Sequence, residues 1–265
     1  MSTANSETVL ITGASSGIGL ELARCFAADG CRLVLLARNT QALETLADEL
    51  RRAFRIEVLV LAADLSRPET PALIFKELQS REIQVDILVN NAGFGANGTF
   101  AGLSLQRQLE MIQVNVTALT DLTGLFLPGM IDRRHGGVLN VGSLAGFLPG
   151  PGMAVYYATK AYVLSFTEAL AEELAGTGLK VTALCPGPTA TNFGNVSHGL
   201  KERRFKTAKM TAAMVAHYSH RAFRRGKLLA IPGWQYRLLI LLLRILPRWF
   251  VRKMAGLFNQ TDEQL

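Results

Sequence analysis

Ser143, Tyr156 and Lys160 are the residues of this 265-residue chain whose types and spacing carry the clearest chemistry. Tyr156 and Lys160 stand four apart, so on a helix they share a face and the ammonium can lie beneath the phenol. A tyrosine titrates near ~10, too high for efficient proton transfer near neutrality. A neighbouring cation favours phenolate and lowers that value. The pair is therefore expected to work as a tuned proton donor to a carbonyl oxygen, with Ser143 thirteen residues upstream. Tyr157 points about 100° away on a helix and has no lysine four residues on, which marks it as a packing residue.

An acid needs something to work with, and the start of the chain supplies it. Gly13, Gly17 and Gly19 follow an apolar run and open a helical stretch at Ile18–Ala27. A glycine-rich strand-to-helix turn lets backbone approach a pyrophosphate, and the helix N-terminus attracts its charge. The spacing, G-x-x-x-G-x-G, differs from the commoner G-x-G-x-x-G, and three glycines alone also suit a plain tight turn. Arg38 ends the second apolar run, where a nucleotide fold puts the adenosine ribose. An acid there would bond the 2′-hydroxyl of NAD and repel the 2′-phosphate of NADP. This chain offers Ala37 and a guanidinium, so NADP(H) is favoured over NAD(H), a solvated strand-end charge being the alternative.

These residues must be held by a scaffold, and the hydropathy pattern names it. Short apolar runs recur at Val9–Thr12, Arg32–Ala37, Glu57–Ala62, Ile87–Asn90, Gly137–Ser143, Lys180–Cys185 and Lys227–Ile231, with helical stretches between them. Leu43, Leu46, Ala47 and Leu50 form one such helical stripe. The alternation predicts an α/β fold, a single doubly wound Rossmann domain with about seven parallel strands flanked by helices on both faces. Residues 1–233 are expected to form it, with a substrate lid at 192–226 and a basic, apolar helical extension at 234–265.

Composition bounds the rest. Apolar residues make up 49% and charged residues 18% of the chain, which fits a globular protein. Cys25, Cys31 and Cys185 have no ligand or redox spacing and point to a reducing, cytoplasmic setting. The first eight residues show no secretory pattern. The four histidines form no ligand set, so no metal is expected, and the pair His217/His220 reads as a helix-surface feature. The net charge of +7 is unevenly spread: residues 201–253 carry fourteen Lys/Arg against Glu202 alone. Within Trp234–Val251, Arg237, Arg244, Arg248 and Pro247 interrupt a Leu/Ile/Trp/Phe-rich stretch too charged for a membrane span. It suits a helix lying in a membrane interface, through residues 234–253, or a helical pair packed on the substrate lobe or another subunit. No binding module accompanies the charge, so no nucleic acid is expected.

With these motifs in hand, the chain closely resembles the short-chain dehydrogenase/reductase family from about Thr8 to Ile231. The resemblance rests on the glycine turn Thr12–Gly19, Asp64-Leu65, Asn90-Asn91-Ala92-Gly93, Asn115, Ser143, Tyr156-x-x-x-Lys160, and Pro186-Gly187 with Thr191. It implies a catalytic set of Asn115, Ser143, Tyr156 and Lys160. Ser143 would donate to the substrate oxygen and Asn115 would hold a water of a proton relay. It implies a coenzyme site of Gly13, Ser15, Ser16, Gly17, Ile18, Gly19, Arg38, Asp64, Leu65, Asn91, Ala92, Gly93, Tyr156, Lys160, Pro186, Gly187, Thr189 and Thr191. Asp64 would bond the adenine amino group, Lys160 the nicotinamide ribose, and Thr189 and Thr191 the carboxamide. A homodimer or homotetramer is the implied assembly. The expected activity is reversible reduction of a carbonyl on a lipophilic or acyl-type ketone, where the lid arginines suit a phosphate-bearing carrier. A small polar aldehyde or alcohol is the alternative substrate, and a non-catalytic, membrane-associated NADP-binding protein the alternative function.

Overall fold

A computed structural model describes residues 7–190 and 210–259. The elements run β1 (Thr8–Thr12), α1 (Gly17–Ala28), β2 (Arg32–Ala37), α2 (Thr40–Phe54), β3 (Val58–Ala62), α3 (Thr70–Ser80) and β4 (Ile87–Asn90). Then come α4 (Leu105–Ile112), α5 (Ala118–Arg133), β5 (Gly137–Val141), α6 (Ala154–Glu173), β6 (Lys180–Leu184) and β7 (Thr189–Ala190). After the undescribed stretch follow β8 (Met210–Thr211), α7 (Ala212–Arg224), β9 (Leu229–Ala230), α8 (Trp234–Ile245) and α9 (Arg248–Asn259).

Seven strands form one parallel sheet in the order β3-β2-β1-β4-β5-β6-β9, and β7 pairs with β8 in a small ribbon. Parallel strands need crossovers, and helices supply them on both faces. Side-chain alternation sorts the strands' residues between the two layers. Val9, Ile11, Leu33, Leu35 and Val89 pack with α1, α2 and α7 through Leu22, Phe26, Leu43, Leu50 and Phe223. Leu10, Val34, Leu36, Leu88 and Val138 pack on the other side with α3 and α5 through Ile74, Leu122 and Phe126. Because both faces are covered, the strands read as unbroken apolar runs.

Local chemistry sets the element ends. Asn39 Oδ1 accepts from Ala42 N at 3.0 Å to start α2, and its stripe Leu43, Leu46, Ala47 and Leu50 is fully buried as the sequence predicts. Each such leucine contributes about 1.5–3 kcal/mol. Pro247 falls between α8 and α9, where the missing N–H costs no helical bond. Gly233, at φ +91, turns the chain from the edge strand β9 into α8.

The chain order reverses where β1 lies between β2 and β4, and a parallel sheet opens its crevice at the carboxyl ends of such strands. A buried polar network sits just below. Asn90 Nδ2 donates to Asn140 Oδ1 at 2.9 Å and to Thr123 Oγ1 at 3.1 Å, and Asn140 Nδ2 donates to Thr167 Oγ1 at 3.0 Å. Side chains on β4, β5, α5 and α6 are thereby fixed to one register.

Of the segment 192–226, expected as a basic lid, residues 192–209 lie outside the described residues, and its described end, α7, packs against α1 and the sheet. Arg224 Nε donates to Asp29 Oδ2 at 2.8 Å, and its other nitrogens meet Glu7 and Cys31. Of the pair expected on the helix surface, His217 is exposed and His220 is half-buried: its Nε2 lies 2.9 Å from Asp29 Oδ2 and its ring meets Phe26 edge-on. Burial lowers its pKa, against the pull of Asp29. Lys201, Arg203, Arg204, Lys206, Lys209 and His198 lie outside the described residues.

Candidate active site

A single cleft of about 1280 Å³ runs over the carboxyl ends of the strands, and most of the sequence-predicted residues line it. One end is formed by Gly13, Ser15, Ser16, Gly17 and Ile18, with Arg38, Asp64 and Leu65 beside them. The middle is formed by Asn91, Ala92 and Gly93, and the far end by Ser143, Tyr156, Lys160, Pro186, Gly187 and Thr189. Gly19 and Asn115 stand behind the wall, and Thr191 lies outside the described residues.

The glycine turn explains its own composition. Gly13 and Gly17 adopt φ +65 and +59, where a side chain is strained. A Cβ on Gly19 would sit 2.5 Å from the Gly13 carbonyl oxygen and 2.3 Å from Asn91 Nδ2. That amide donates to the carbonyls of Thr12 and Gly13 at 2.8 and 3.1 Å, while Thr12 Oγ1 accepts from the backbone of Asn91 and Ala92. The first and fourth strands thus clamp the turn. Ser16 heads α1 without a side-chain capping bond, which leaves the helix N-terminus facing the cleft. A dinucleotide fits this set: backbone N–H groups and the helix terminus for the pyrophosphate, and exposed Arg38 at the ribose end. Asp64 is ionised readily; burial raises its pKa, but bonds from Ser66 and the charges of Arg38 and Arg67 outweigh that.

Tyr156 occupies the first turn of α6, and Ser143 follows β5, its Oγ also accepting from Ala145 N at 3.1 Å. Burial pushes the phenol up to about 12, and a hydrogen bond from Ser143 pulls it back in part. This corrects the expectation that the lysine governs the phenol. Lys160 Nζ stands 6.0 Å from the Tyr156 ring centre and donates to the Val141 carbonyl at 2.8 Å. Desolvation outweighs attraction at that range. The same burial pushes Lys160 down to about 8. Cys185, beside it, is pushed up to about 12 by burial, so its thiol stays protonated and inert.

Asn115 sits in a π turn, Gln113–Thr117, that joins α4 to α5. Its Oδ1 accepts from Phe94 N at 3.0 Å, and its Nδ2 donates to Phe94 O and to Thr159 Oγ1 at 2.9 and 3.1 Å. Thr159 in turn donates to the Tyr156 carbonyl at 2.7 Å. The amide is thereby committed to holding the β4 loop against α6. Gly93 leaves little room for a side chain here: a Cβ would lie 3.0 Å from Asn115 Oδ1 and 3.4 Å from Lys160 Nζ.

Helices α8 and α9 roof the far end, through Tyr236, Leu239, Leu243, Phe250, Met254 and Phe258 among others. Tyr236 lies so close over Gly187 that a Cβ there would be 2.5 Å from its Cζ. The Tyr157 hydroxyl donates to Asn259 Oδ1 at 3.2 Å, and Asn259 Nδ2 to the Pro151 carbonyl at 3.1 Å. Sequence reasoning missed Tyr157, Tyr236 and Asn259 as site builders. Arg107 and Glu110 line the same end, 3.5 Å apart, with the Arg107 guanidinium 4.0 Å from the centre of the Phe94 ring.

Comparison with known proteins places this geometry. The sequence model of the short chain dehydrogenase family matches residues 7–199. Ketoacyl reductase HetN of Nostoc sp. is 34% identical over 187 residues, which is 71% of this chain and 65% of that protein. A short-chain dehydrogenase from Sphingobium yanoikuyae, solved in complex with NADPH, is 35% identical with a TM-score of 0.80, over 88% of this chain and 92% of that one. Another from Burkholderia phymatum, in complex with NAD, is 27% identical with a TM-score of 0.81, over 91% and 94%.

Proposed function

The chain belongs to the short-chain dehydrogenase/reductase family, and we propose that it is an NADP(H)-dependent oxidoreductase that reduces a ketone to an alcohol, reversibly. One observation carries this reading. The glycine turn, Arg38, Ser143, Tyr156 and Lys160 share a single cleft, whose far end is roofed by apolar side chains. The roof favours a lipophilic or acyl-bearing substrate over a small polar one.

The reduced nicotinamide, when bound, supplies a hydride to the carbonyl carbon. The Tyr156 hydroxyl holds the proton that passes to the carbonyl oxygen, and Ser143 donates to the same oxygen. Both donors stabilise charge where it develops. Lys160, charged below about 8, offsets the negative charge left on Tyr156. Asn115 positions the loop that carries Gly93 against Lys160. Arg38 would hold a 2′-phosphate at the ribose end, which favours NADP(H).

Three free, buried cysteines suit a reducing cytoplasm. Leu105, Leu109, Ile112 and Tyr162 leave an apolar outer face on α4 to α6, which suits subunit pairing in a homodimer or homotetramer. The experiment is a ketone panel (steroid, long-chain 3-ketoacyl and short polar carbonyls) run with NADPH and with NADH, read by nicotinamide absorbance. Turnover of bulky ketones with NADPH is expected. Turnover confined to short polar carbonyls would overturn the substrate class, and none at all would overturn the reading.

A further inference from the structure

Helix α8 is apolar on two opposite sides. Tyr236, Leu239 and Leu243 face the cleft. Trp234, Leu238, Leu241 and Ile245, at i, i+4, i+7 and i+11, form a stripe on the reverse side, away from that cleft. That stripe is open to solvent, Trp234 being 76% and Ile245 82% exposed. The next helix adds Trp249 and Leu257, 57% and 64% exposed. An apolar helix face belongs against a core or lipid, and only one of the two on this helix is covered.

The charge says what covers the other side. Arg237, Arg244, Arg248, Arg252 and Lys253 lie between Trp234 and Asn259, with no acid among them. Arg237 is drawn back, donating to the Ile231 carbonyl at 3.3 Å and to the Tyr218 hydroxyl. Arg244, Arg248 and Arg252 are exposed. A second copy seated on this face by two-fold symmetry would bring two all-cationic surfaces together. A span is excluded by length, because the twelve residues of α8 rise about 18 Å against ~30 Å of hydrocarbon. Cations beside exposed Leu, Ile and Trp match an interface of anionic headgroups over acyl chains.

We propose that the outer face of α8 and α9 seats the protein on an anionic phospholipid membrane surface, so that the roof of the cleft is also its contact with lipid. Phe250, Met254 and Phe258 belong to both, since they line the cleft and are exposed. They form the path by which an apolar substrate passes from the bilayer to Tyr156. This route rests on the reductase reading above; the docking itself does not.

The test is flotation of the full chain with vesicles of phosphatidylcholine alone or with added phosphatidylserine. Binding is expected only with phosphatidylserine and is expected to weaken as salt rises. The double variant Leu241→Asp/Ile245→Asp changes exposed residues outside the cleft, so it is expected to float roughly tenfold less. Its turnover of a water-soluble ketone and its circular dichroism are expected to match the parent's. Failure of the parent to float, equal flotation on both vesicles, or equal flotation of the variant would each overturn the proposal. So would a parent dimer that the variant dissociates, because a second copy would then occupy the face. Absence of turnover with docking intact would count against the reductase reading alone.

Discussion

Asn259 Oδ1 accepts the Tyr157 hydroxyl at 3.2 Å, so the side chain next to Tyr156 ties the last described helix to the helix that carries the acid. A net hydrogen bond of this kind contributes about 1 kcal/mol. Tyr157→Phe is therefore expected to raise KM for a bulky ketone about fivefold and to leave kcat within twofold. Steady-state kinetics decide it, and an unchanged KM would show that the tie does not shape the roof.

Tyr156→Phe removes the proton donor while leaving the ring in its packing. The expected outcome is a loss of kcat of roughly 10²–10⁴, with NADPH affinity retained by fluorescence titration. A variant as active as the parent would remove Tyr156 from the chemistry.

The pH profile follows from Lys160 and Tyr156 together. The phenol, near 12, keeps its proton throughout the working range. The ammonium, lowered by burial, loses its proton as pH rises through about 8. Reductive kcat/KM is thus expected to be level below that point and to fall above it, and Lys160→Met is expected to lack the limb. Linkage gives a second readout with the opposite slope. Between about 8 and 10.5 the unfolded chain binds the proton that the folded lysine has released, so stability rises with pH across that window. Loss of that rise in Lys160→Met, by chemical denaturation, checks the same group without activity.

Arg38→Asp replaces attraction for a 2′-phosphate with repulsion. A drop of about 100-fold in kcat/KM with NADPH, and a gain with NADH, is the expected result. An unchanged coenzyme ratio would return Arg38 to the role of a solvated strand-end charge.

Two glycines that look alike in sequence are expected to respond differently. At Gly19 a Cβ meets the backbone of Gly13, which cannot move away, so Gly19→Ala is expected to cost about 1–3 kcal/mol of stability. At Gly187 the obstacle is the ring end of Tyr236, which can swing aside. Gly187→Ala is therefore expected to hold its melting temperature within a few degrees and to change substrate KM instead. A larger thermal loss for Gly187→Ala than for Gly19→Ala would reverse this assignment.

The strands were legible because a sheet covered on both faces writes uninterrupted apolar runs, and Arg32–Ala37 and Ile87–Asn90 fall at the bounds their residues imply. The chemistry-bearing side chains were legible through their order along the chain. What stayed hidden depends on distance. Nothing in the sequence places Lys160 nearer to the Val141 carbonyl than to the phenol, so the balance between burial and attraction at Tyr156 came out reversed. Nor does helical periodicity separate His220, half-buried against Asp29 and Phe26, from the exposed His217. The apolar character of Trp234–Phe258 was plain, but its division into an inner and an outer stripe needed the cleft beneath it.

Gly233, at φ +91, is the point from which the whole covering hangs. The covering is tied back to the reaction centre by Ile240, buried with Leu164 and Cys185, by the Tyr236 ring over Gly187, and by the bonds of Tyr157 and Pro151 to Asn259. Side chains on the inner side of this visor, Leu239, Leu243, Phe250 and Met254, therefore govern what is admitted, while Ile240 and Tyr236 join it to the packing beneath.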